Sequence, residues 1–128
     1  MASNEFKILT EFKNSLITFI DELITQFPEE GDFVIIRIFL KDQVPIVDVI
    51  NHVIRDILPI KMLVTAKDEN FFLENNVLFG SLNKNKVNHF KKLWRSGRLD
   101  TDDKNVVWKW MESFIFLAEK YQKIKTIQ

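Results

Sequence analysis

The chain has 128 residues, 46% of them apolar, with 18 basic and 18 acidic side chains and no cysteine. That size fits one domain with a sizeable core, since about two thirds of the unfolded surface of a 15 kDa chain is buried on folding. The composition excludes intrinsic disorder, disulfides, thiolate catalysis and cysteine-based metal sites. The zero net charge hides an asymmetry: residues 1–60 hold five basic and ten acidic side chains, and residues 61–128 hold thirteen and eight. The two halves are complementary, so they can pack on one another, or two copies can meet head to tail.

The first predicted element runs from Ser3 to Phe27. Phe6, Leu9, Phe12, Leu16, Phe19, Ile20, Leu23, Ile24 and Phe27 recur at steps of three and four, the period of an amphipathic helix. Ser3 is its expected N-cap. Pro28 ends it and pre-sets a new first turn, with Glu29 and Glu30 favoured at the positive end of the next helix dipole. Phe33–Leu40 (FVIIRIFL) is short and β-branched and fits a buried strand or a helix; its helical surroundings and the lack of a hairpin partner favour helix.

A third element spans Pro45–Leu58, its apolar half set against Asp48, Asn51, His52, Arg55 and Asp56, and Pro59 is expected to kink or break it. A short continuation covers Ile60–Ala66, and Asp68 is placed to cap a further turn through Phe71-Phe72-Leu73. Asn75-Asn76 and Gly80-Ser81 are loop signals. A fourth element, Leu82–Arg95, stops at Ser96-Gly97, where glycine suits the left-handed position after a helix. A fifth starts at Asp100-Thr101-Asp102-Asp103, a run of cap formers, and continues to about Lys123. The expected fold is all-α: a single domain over residues 1–128, a compact bundle of five to six helices.

Chemistry is sparse. Asp48, His52 and Asp56 stand at i, i+4 and i+8, a spacing that can hold a cation, but a third strong ligand is missing and no metal site is expected. No serine sits in a nucleophile-elbow setting. Three glycines, at 31, 80 and 97, allow neither a P-loop nor a dinucleotide fingerprint. Neither an enzyme nor a cofactor is expected. The stretch MASNEFKILTEFK has neither the basic nor the long apolar region of a signal peptide, and no apolar run approaches the ~20 residues of a membrane span, so an intracellular protein without membrane contact is expected.

Two features point to partners. The acid-free stretch from Asn75 to Leu99 gathers Lys84, Lys86, Lys91, Lys92, Arg95 and Arg98; Lys84, Lys91, Lys92 and Arg95 on one helix face would lie along a phosphate backbone. The second is the aromatic excess of the last element, where Trp108 and Phe116 fall outside the main apolar stripe. Such a helix is either central in its bundle or covered by a partner. The leading expectation is therefore a non-enzymatic protein–protein interaction or structural protein that binds a protein or itself. Trp94, Trp108 and Phe116 are its candidate anchors and Arg95 and Arg98 its polar contacts. Nucleic-acid binding by the helix 84–95 is the alternative.

Phe71–Gly80 (FFLENNVLFG) and Val87–Tyr121 carry a His-Phe-x3-Trp pattern, a Leu-Asp turn, Trp-Lys-Trp and a Leu-Ala-Glu-Lys-Tyr ending. This pattern resembles small α-helical proteins of nucleocytoplasmic large DNA viruses. The resemblance implies a virus-encoded protein of the virion or infected cell, for instance a minor virion component, and carries over no catalytic residue.

Overall fold

The computed structural model describes residues 2–75 and 84–127, and side chains throughout these except at 2, 3, 84, 86 and 127. The fold is all-α, with no strand among the described residues. The Asn76 half of the first loop signal, the Gly80-Ser81 turn and the expected start at Leu82 lie outside them.

Helix α1 covers Ala2–Gln26, starting one residue ahead of the expected cap Ser3. The next helix, α2, covers Gly31–Ile38. Phe33–Leu40 is thus helical, and β-branching did not make a strand because Phe33 is buried against Phe27 and Phe90 within a helical layer. Glu29 and Glu30 precede α2 rather than forming its first turn, where Asp32 stands instead. The helix then widens into a π-turn, Phe39–Gln43, closed by Val44 N–H donating to the Phe39 carbonyl at 3.0 Å.

Helix α3, Ile46–His52, ends in a second π-turn, Val53–Ile57, followed by the 3₁₀ turn Leu58–Ile60. Pro59 explains this succession. In a regular helix its ring would strike the carbonyl four residues back and it would donate no hydrogen bond. Widening the turn before it and tightening the one around it removes the clash without ending the helical path. Helix α4, Lys61–Thr65, follows and closes on Lys67, a non-glycine residue at φ 55°. Lys67 N–H donates to Val64 and Asp68 N–H to Leu63, the Schellman pattern. The end falls within a residue of the expected Ala66, but with no glycine there the left-handed Lys67 was not signalled by the sequence. Asp68 then caps α5, Glu69–Glu74, by accepting from Phe71 N–H at 3.1 Å.

Helix α6, Lys84–Arg95, gives way to Gly97 at φ 83°, the left-handed conformation expected there. The last helix, α7, covers Thr101–Ile127. Asp103 N–H donates to Asp100 Oδ1 at 2.8 Å, and Asp100 N–H donates to Asp103 Oδ2 at 3.1 Å. This is a reciprocal capping box with aspartate in both roles.

Helix α7 is the shared wall of two apolar clusters. One joins its Trp108 and Ile115 to Leu23, Phe27, Phe33 and Ile57 and to Leu93 and Trp94 of α6. The other joins Phe114, Leu117, Ala118 and Tyr121 to Ile8 and Phe12 of α1 and to Ile50 of α3. Phe19, Val53 and Met111 pack against both. At the far end the Tyr121 hydroxyl donates to Glu5 Oε1 at 3.2 Å, and Lys125 reaches the same oxygen at 3.3 Å.

Two stability outcomes follow. Asp100→Ala removes one half of the capping box and should cost about 1 kcal/mol, read as a lower midpoint of chemical denaturation at unchanged slope. Burial, then the Glu5 carboxylate, holds the Tyr121 phenol above its ordinary value. A phenol whose folded pKa is raised binds its proton more tightly in the folded state. Its contribution is therefore complete below the unfolded value near 10 and is lost as pH rises above it. Thermal melts from pH 8 to 11 should fall less steeply for Tyr121→Phe than for the natural protein.

Candidate functional site

Trp94 and Trp108 are 7% and 5% exposed. Their rings meet edge to face at 5.9 Å, and Phe72 lies 5.8 Å from Trp108. Trp94 Nε1 donates to Glu69 Oε1 at 2.7 Å. Lys104 reaches that oxygen at 3.2 Å and lies over the Trp94 ring. Both indoles are core residues, which corrects their candidacy as partner anchors. The reason is the position of α7: with α1 on one side and α4 and the Val53–Ile57 turn on the other, a second apolar flank is buried within the chain. Phe116 differs, being 58% exposed on the outward face of α7, with Lys120 Nζ 5.1 Å from its ring centroid.

The basic block is also rearranged. Arg98 lies over the Phe27 ring and pairs with Glu30 at 3.1 Å and with Glu29. His89 Nε2 meets Glu30 Oε2 at 2.5 Å. The acidic turn after α1 thus neutralises one end of the basic stretch, so the halves pack on one another. Lys91 is only 8% exposed. It stands four residues from Val87 and three from Trp94, on the buried arc of α6. This corrects the expected cationic row: Lys91 faces inward, while Lys92 and Arg95 are exposed. Lys84 lies in α6, its side chain outside the described set.

The third constellation, around His52, is a local pair. His52 Nδ1 lies 2.9 Å from Asp56 Oδ2. Arg55, which donates to Asp56 at 2.9 Å, holds that carboxyl below its usual range, with smaller help from His52. Among the described residues no three His, Cys, Asp or Glu side chains are grouped so as to hold a metal ion, and no helix is long and apolar enough to cross a membrane.

A surface not singled out in the sequence is the outer face of α2. Val34, Ile35 and Ile38 are 43%, 52% and 45% exposed, contiguous on one and a half turns. The buried stripe of this helix is narrow, since Phe33 is its one buried residue. Arg37, the charge within the segment, is turned back to Asp21 at 2.6 Å. Lys13 Nζ donates to the Lys41 carbonyl at 2.8 Å and holds the following π-turn to α1. The eight-letter run FVIIRIFL carried the signal: it is too apolar for a helix that buries one side.

Comparisons with protein families, with curated proteins and with solved structures found no match to this chain.

The two aromatic positions should separate on truncation. Trp108→Ala should destabilise by about 3–5 kcal/mol, the range for emptying a large aromatic site in a core. Phe116→Ala should stay within about 0.5 kcal/mol, as surface changes do. Denaturant unfolding of the two variants measures the contrast.

Proposed function

We propose that this is a non-enzymatic helical interaction protein that self-associates through the outer face of α2. The observation that carries this reading is the contiguous exposed patch of Val34, Ile35 and Ile38. Exposed aliphatic side chains scattered singly need no explanation, whereas a contiguous set on one helix face marks a surface that is covered in use. A second copy is the favoured occupant for two reasons. The patch carries no free charge with which to select a foreign partner, because Arg37 is held by Asp21. The net charge of zero also leaves copies without mutual repulsion. Two-fold pairing sets like against like, which an aliphatic stripe satisfies.

The patch is short, so the association belongs to the weak class, with a dissociation constant in the micromolar range or above. The outward Phe116 and the exposed Arg95 are further contact points of the kind expected from the sequence. The resemblance to small viral helical proteins adds a minor virion component as the setting.

Sedimentation over about 10 μM to 1 mM, bracketing that affinity class, tests the reading. The natural protein should shift from monomer to dimer, and the double variant Ile35→Lys with Ile38→Lys should stay monomeric with unchanged helicity. A natural protein that is monomeric throughout, or a double variant that sediments like it, would refute self-association by this face.

A further inference from the structure

A pocket of about 240 Å³, partly open to the surface, lies between α1, the inner face of α2, α3 with its π-turn, and α5 to α7. Among the described residues its wall is almost wholly hydrocarbon and aromatic carbon, with His52, Glu69 and Lys91 as the polar exceptions. Each exception is engaged: His52 faces Asp56, Glu69 receives Trp94 and Lys104, and Lys91 also has an interaction of its own. Protein interiors close-pack and leave few voids larger than a water molecule. A void with apolar walls also forfeits the dispersion contacts of its lining. Apolar cavities of comparable size take up apolar molecules.

A second, independent feature marks the same place. Val53 and Ile57, the ends of the second π-turn, line the cavity. Single π-turns within helices recur at functional sites, where the widened turn displaces side chains from regular helical register. Here it sets part of the cavity wall.

From these features we infer that the cavity is a binding site for a compact neutral apolar molecule, aromatic or alkyl-aromatic, of about ten heavy atoms. The size follows by proportion, since an engineered cavity of about 150 Å³ holds benzene, with six. Neutrality follows from the wall: a carboxylate or ammonium brought here would lose its water and meet only groups already engaged. The site is separate from the outer face of α2 and does not depend on self-association.

The probe is n-butylbenzene, a ten-carbon molecule, added to the full chain up to its solubility. The melting temperature should rise with its concentration, as for any ligand that binds only the folded state. The emission of Trp94 and Trp108, which line the cavity, should shift in parallel. The variants Val107→Phe and Leu73→Phe each place a ring in the cavity, from α7 and from α5. In whichever of them folds, the response to n-butylbenzene should fall at least tenfold. The charged analogue 4-butylbenzoate should bind the natural protein at least tenfold more weakly.

An unchanged melting temperature and emission in the natural protein would overturn the site, whether or not the variants fold. An undiminished response in a folded filled variant would overturn it as well, because the probe would then sit elsewhere. Equal or tighter binding of 4-butylbenzoate would overturn the assignment to neutral ligands.

Discussion

The burial of α7 on several sides at once is the constraint on which the rest of the molecule depends. Trp108 and Ile115 complete one apolar cluster, and Phe114, Leu117, Ala118 and Tyr121 complete the other. Ala118, with no exposed surface, leaves room beside α7 for the neighbouring helices, and Phe19 of α1 packs on Phe114 and near Trp110. The helices α2 to α5 have five to eight residues each, and helices of that length are not stable by themselves in water. Their persistence is a consequence of the apolar wall that α7 presents.

Electrostatics follows the same frame. The acidic excess of the first half and the basic excess of the second meet at defined places. Glu29 and Glu30 hold Arg98 and His89, and Glu5 holds Lys125. Most of these side chains are partly solvated, where an ion pair contributes about 0–1 kcal/mol, so their role is orientation more than stability. They bring the start of α2 against the region between α6 and α7. With Arg37 drawn back to Asp21, the outer face of α2 is left aliphatic.

Two departures from regular helix shape what the protein can bind. Both π-turns precede a proline, Pro45 and Pro59; the first ends its helical stretch, with Val44 and Pro45 extended, and the second carries the helical path on into the turn around Pro59. The first extends α2 beyond its exposed stripe. The second shapes the wall of the central cavity. Local backbone chemistry at two prolines is thus connected to an outer surface and to an inner one.

The sequence by itself determined the all-α class and the ends of the elements at Gly97, Asp68 and Asp100. These are local matters: apolar period, cap chemistry and the conformational freedom of glycine act within a few residues. It left open which side of each helix is covered, because that depends on neighbours distant in the chain. Trp94 and Trp108 read as candidate anchors and Lys91 as part of a cationic row, yet all three are buried; the two indoles are covered by each other and by Phe72 and Glu69 of α5. Phe116 and the face of α2 stay outside because no described element covers them. The same applies to the cavity, whose walls come from elements up to about a hundred residues apart. Only the packed arrangement could reveal it, since unfilled space is a property of how helices meet and not of any one of them.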